Sequence, residues 1–126
     1  MILGVGTDIC DARRIAAALK RFDYRFRERI FTESEIALAC GRSDESLFYA
    51  KRFAAKEAAV KALGTGIGNG ISWQHIEVRN NDLGAPELHF SGEFAAMCKN
   101  RGITRSVVSI SDEQHYAVAT VILETE

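Results

Sequence analysis

The chain has one proline, Pro86, one tryptophan, Trp73, and three widely spaced cysteines, Cys10, Cys40 and Cys98. No C-x-x-C pair and no partnering histidine pattern accompany the cysteines, which argues against a disulfide framework or a zinc site and for reduced thiols. Neither sign of charge is in excess: 16 Lys and Arg stand against 17 Asp and Glu, so no global field draws the chain to nucleic acid or to a membrane. No apolar run approaches the roughly 20 residues needed to span a bilayer. The start, MILGVGTDI, lacks the basic region and cleavage site of a secretory signal, and a cytoplasmic location is expected. Repeats and low-complexity tracts are absent. What is present, 126 residues of which 47% are hydrophobic, is the composition of a single globular domain, 1–126.

Ile2 to Ile9 alternates branched apolar residues with Gly and Thr, as a short strand does, with Thr7-Asp8 near its end. Asp11 can cap a helix over 12–22, where Ile15, Ala18, Leu19 and Phe22 share one side; Asp8 is then either a second cap or a ligand. Residues 11–29 carry seven basic side chains against three acidic ones. Arg14, Arg21, Arg25 and Arg29 would stack along one face if that helix continued. Such a face on a near-neutral protein is either solvated or meets an acidic macromolecular partner. Tyr24 and Phe26 between the arginines keep single-stranded nucleic acid among the readings.

Thr32 and Glu35 form a capping box before Ile36-Ala-Leu-Ala, so Glu33 and Glu35 are expected as helix-end partners rather than catalysts. A polar loop over 42–45 leads to a long helix starting near Ser46. Beyond it, WQHIEVR (73–79) alternates as a strand, the cluster 80–86 turns, and 87–90 returns. Ser91 is placed to cap a short helix from Gly92 to Lys99, and a final hairpin joins 106–112 to 115–124. Hairpins imply an antiparallel sheet, so the fold class is α+β: a small antiparallel sheet packed against a long central helix. The last strand, HYAVATVIL, alternates small and large apolar residues and reads as buried or interfacial.

The chain is organised around RFAAKEAAVKALGTGIGNG (52–70). At about 100° per residue, Glu57 shares an arc with Tyr49, Phe53 and Val60, with Lys61 one turn on. The far side is apolar too, so this helix is close to hydrophobic all round, as a central core helix is. Charge in such a stripe costs several kcal/mol unless it is paired or binds a metal. A solvated i,i+4 pair is the alternative.

The glycines 64, 66, 68 and 70 invite a phosphate-loop reading, but phosphate loops precede a helix, where the amides and dipole face the anion. Here they follow one. An anion at this end needs added positive charge, from Lys61 or from a divalent cation held by Glu57 and a second carboxylate. Magnesium, with few protein carboxylates and substrate phosphates completing its shell, suits that chemistry.

Gly6-Thr7-Asp8-Ile9 with Arg14-Ile15, then 52–68, then the block VSISDEQHYA (108–117) resemble, in order and over nearly the whole chain, the holo-acyl-carrier-protein synthases among the bacterial-type 4′-phosphopantetheinyl transferases. The resemblance implies transfer of 4′-phosphopantetheine from coenzyme A to a serine of apo acyl carrier protein, releasing 3′,5′-ADP, in fatty acid biosynthesis. It implies Asp8 and Glu57 as magnesium ligands, and Lys61 on the phosphates. It further implies Arg52 with Gly64, Thr65, Gly66 and Ile67 at the nucleotide end. Arg14, Arg21, Arg25 and Phe26 would receive the acidic carrier, in a homotrimer with sites at subunit interfaces; no nucleic acid and no membrane are expected as partners. Some members carry a histidine where this chain has Asp112, its own falling later at His115, so a histidine base does not carry over. Glu57 through a metal-bound water is the preferred base, with Asp112 second.

Overall fold

The computed structural model describes Met1–Glu126. Strand β1 (Ile2–Asp11) is followed by helices α1 (Ala12–Phe22), α2 (Tyr24–Ile30), α3 (Glu33–Ala39) and α4 (Glu45–Leu63). Strands β2 (Ile76–Asn80) and β3 (Pro86–Phe90), helix α5 (Gly92–Asn100), and strands β4 (Ile103–Asp112) and β5 (Tyr116–Thr125) complete the α+β order. The caps form as the sequence requires: Asp11 accepts from the Arg13 amide, and Thr32 with Glu35 closes a full capping box. Gly64 ends α4 in the left-handed region (φ 83°), which glycine enters without a Cβ penalty. Ser91 holds its N-cap position without a side-chain bond.

The helix expected over 12–22 is α1; it does not run on through the arginines, so the condition for stacking them on one face is not met, because Asp23 adopts φ 52° and restarts the chain as α2. One expectation fails. Trp73–His75 is a 3-10 turn rather than strand: Ser72 and His75 cap it reciprocally, which outweighs the alternating pattern, and β2 begins only at Ile76.

The sheet is two sheets. β1, β5 and β4 lie side by side in that order, all antiparallel, and β2–β3 forms a separate hairpin. The middle strand β5 turns Ala117, Ala119, Val121 and Leu123 toward α4, all fully buried. Alanine on both surfaces lets helix and sheet approach closely. β1 approaches closest: a Cβ on Gly4 would lie 1.9 Å from the Ala62 carbonyl oxygen, and one on Gly6 1.9 Å from that of Ala58. Asp8 continues this helix-facing row, since side chains alternate along a strand. The opposite face carries Leu3, Val5 and Ile9 of β1 with Tyr116 and Val118 of β5, all exposed.

Candidate active site

Asp8 is two residues beyond the Gly6 contact on β1, and Lys61 lies three residues beyond Ala58 on α4, so the close approach of the two backbones brings them together. Lys61 Nζ donates to Asp8 Oδ1 at 3.0 Å and to the Thr7 carbonyl at 3.1 Å. The Asp8 side chain is mostly buried, whereas that of Lys61 remains half exposed at 53%. Lys61 therefore does not sit inside the packed stripe as expected; it stands at its rim, able to meet a bound anion. Glu57, one turn earlier, shares with Asp8 a cleft of about 300 Å³. Burial first, then the Asp8 charge, raises the Glu57 pKa above the ordinary carboxylate value, with Lys61 opposing. The Cys10 thiol in the same cleft is pushed up to about 11, chiefly by burial and then by Asp8, so it stays protonated.

Phe26 and Phe53 line this cleft and also a second groove of about 510 Å³, which runs on to Trp73. The basic residues divide between them. Arg14 borders the cleft, while Arg25 and Arg29, one turn apart on α2, border the groove. Arg21 borders neither and lies over the Phe22 ring, 5.1 Å from its centroid. Arg27 is drawn inward onto Glu45 at 3.1 Å and leaves the basic surface. The expected arginine face thus exists as two segments hinged at Asp23 around an aromatic groove.

Arg52 is not brought to the cleft. It points about 140° around α4 from Glu57, is 4% exposed, stacks its guanidinium 4.2 Å over Phe48 and donates to Asn80 Oδ1 at 3.1 Å. Asp112 is also distant: Asp8 pairs with Ala119 and Ala119 with Ile110, so Asp112 lies two strands over and two residues along. At about 4.8 Å per strand that separates the two backbones by roughly 10 Å or more. The loop 64–67 begins three residues after Lys61 and is largely open to solvent. No group of three or more His, Cys, Asp or Glu side chains that could hold a metal occurs in the chain.

Sequence reasoning missed the most deeply buried charges. Lys56 and Glu35 are both 0% exposed and pair at 2.6 Å. Burial lowers the Lys56 pKa, with Glu35 opposing. The signal was available: Lys56 is flanked on its own face by Tyr49, Phe53, Ala59 and Val60, an environment no solvated lysine has.

The family model for the 4′-phosphopantetheinyl transferase superfamily matches residues 4–121. A holo-[acyl-carrier-protein] synthase of Alteromonas mediterranea is 69% identical over 98% of each chain. The crystal structure of the synthase from Neisseria meningitidis superposes with a TM-score of 0.92 at 38% identity, covering 99% of this chain and 100% of the other. The Bacillus anthracis synthase, solved in complex with CoA (3′,5′-ADP), gives 0.83 at 44% identity, covering 100% and 99%. A family match across the domain, a close relative over its whole length and a shared fold agree with the motif residues gathered around the cleft: the chain belongs to the holo-acyl-carrier-protein synthases of the 4′-phosphopantetheinyl transferase superfamily.

Proposed function

We propose that this enzyme moves the 4′-phosphopantetheine arm of coenzyme A onto a serine of apo acyl carrier protein, releasing 3′,5′-ADP, and so supplies holo carrier for fatty acid biosynthesis in the cytoplasm. The observation that carries the reading is the Asp8–Lys61–Glu57 arrangement, two carboxylates and an ammonium at one cleft. The donor set fits magnesium: hard oxygens, only two protein carboxylates, and a Glu57 carboxylate disfavoured first by burial and then by the Asp8 charge, which a divalent cation would offset. Asp8 and Glu57 would hold it, and when bound it neutralises charge on the pyrophosphate.

The remaining steps belong to the chain's own side chains. The serine oxygen forms a bond to the phosphorus bearing the pantetheine arm, the bond from that phosphorus to the bridging oxygen breaks, and 3′,5′-ADP leaves with the electron pair. The serine proton passes by way of a water to Glu57, which shares the cleft with Asp8. Lys61, half exposed at the rim, turns from Asp8 to the phosphates and stabilises the leaving charge. In the loop 64–67 the Gly64 and Thr65 amides close the helix onto the Val60 carbonyl, which leaves those of Gly66 and Ile67 for the nucleotide end. Arg14, Arg21 and Arg25 with Phe26 would receive the acidic carrier.

A homotrimer is proposed on the exposed apolar face of the three-stranded sheet, along which Leu3, Val5, Ile9 and Val118 are spread. No helix is long and apolar enough to cross a membrane.

The test is the mass of apo carrier before and after incubation with this protein, coenzyme A and magnesium. A gain of one phosphopantetheine arm is expected, and Glu57→Gln should abolish it with the fold intact. Absence of any gain with the unaltered protein would remove the transferase reading.

A further inference from the structure

Helix α4 has no distinct apolar side. Its six alanines, 50, 54, 55, 58, 59 and 62, fill one half of the circumference, while Tyr49, Phe53, Val60 and Leu63 with the cations Arg52 and Lys56 fill much of the other. The small half lets the helix lie close to the sheet, but an arc of alanines about 180° wide sets the roll only coarsely. A roll of a few tens of degrees stays within that arc and still turns Glu57 away from Asp8. A finer constraint must fix the roll.

Two contacts on nearly opposite faces do so. On one, Ala58 and Ala62 meet Gly6 and Gly4 of β1. That contact accepts any small residue on the helix side and does not alone select Ala58 over its neighbours. On the other, Lys56 Nζ donates to Glu35 Oε1 at 2.6 Å, to the Ile76 carbonyl at 2.7 Å and to that of Trp73 at 3.2 Å. Glu35 in turn accepts from the backbone amides of Thr32, 3.0 Å, and Val78, 3.1 Å. One ammonium is thus bound to the start of α3, the 3-10 turn and β2 at once, with every donor directional. Lys56 and Ala58 stand 200° apart around the helix, and Glu57 lies midway between them.

We propose that the fully buried Glu35–Lys56 pair is a positioning device of this enzyme, setting the roll of α4 so that Glu57 and Lys61 face Asp8. Buried ion pairs add little net stability against apolar replacements of the same volume, and selecting one arrangement among similar ones is their best-attested use. The proposal rests on Glu57 acting as the site carboxylate proposed above.

The test uses the full chain with Lys56→Met and, as a milder change that keeps the side-chain shape, Glu35→Gln. Each is assayed well below its own melting temperature with apo carrier, coenzyme A and magnesium, and the Glu57 carboxyl is titrated by NMR. A misaimed carboxylate should cost kcat about a hundredfold in Lys56→Met and about tenfold in Glu35→Gln. The KM for coenzyme A should move by less than about threefold. The Glu57 titration should shift toward the ordinary carboxylate value as the side chain leaves Asp8 and the buried cleft. A merely structural pair would lower the melting temperature while leaving kcat and the Glu57 titration of the folded protein unchanged, and that result overturns the proposal. If Lys56→Met does not fold, Glu35→Gln decides by the same readings. Full turnover in Glu57→Gln would instead remove the site reading on which the proposal rests.

Discussion

Gly6 and Ala58 meet backbone to backbone, so closely that a Cβ on Gly6 would lie 1.9 Å from the Ala58 carbonyl oxygen. The contact sets how near β1 lies to α4, and hence the 3.0 Å reach of Lys61 to Asp8. Because the obstruction is backbone, no side-chain rotation relieves it. Gly6→Ala should cost roughly 3 kcal/mol, at the upper end of overpacking effects, read from the urea midpoint. Transferase activity should fall further than stability explains, since Asp8 moves with the strand. A native midpoint with full activity would show that β1 can lift without harm to the site.

The raised Glu57 pKa has consequences of definite sign. The folded state holds the Glu57 proton more tightly than the unfolded chain does, so stability contributed by this group falls as pH rises from the ordinary value of 4.5 through the folded one. Asp8→Asn removes the second cause of the shift and should move the folded value down, narrowing that window. Lys61→Met removes the opposing charge and should move it up. Carboxyl NMR titration of the two variants checks both directions, and shifts of the reverse sign would contradict the electrostatic account.

Carrier recognition should be separable from chemistry. Arg14→Glu with Arg21→Glu should raise the KM for the carrier about tenfold or more at low salt while leaving that for coenzyme A unchanged. The difference from the unaltered enzyme should shrink as added salt shortens the screening length. Steady-state kinetics at two salt concentrations reads it; an unchanged carrier KM would place docking elsewhere.

The uncovered sheet face predicts self-association. Val5 is exposed on the side of β1 away from α4 and outside the cleft. Val5→Lys puts a charge into the proposed interface and should lower the molar mass measured by light scattering to that of a single 13.9 kDa chain. Activity should drop with it if the sites need a neighbouring copy. A Val5→Lys protein that stays trimeric would move the interface off this face.

By itself the sequence determined the elements whose cause is local. The caps at Asp11 and Thr32, the Gly64 terminus of α4 and the two hairpins follow from neighbouring residues, and they fold as read. Asp8 on a strand and the Glu57–Lys61 pair on a core helix stood out locally, but each kept a second reading from the residues alone, and their joint role is what the family resemblance implies. Tertiary structure decided what depends on distant partners. The pairing of β1 with β5, first strand with last, leaves no mark in either strand's pattern. The break at Asp23 overrides a helical arginine spacing, and the 3-10 turn at Trp73 overrides an alternating one, because caps and packing outweigh period over so few residues. Arg52 and Lys56 look alike as cations on α4. Both are buried, and what each is buried against was settled only when α3 and β2 brought Glu35 and Asn80 to that side of the helix.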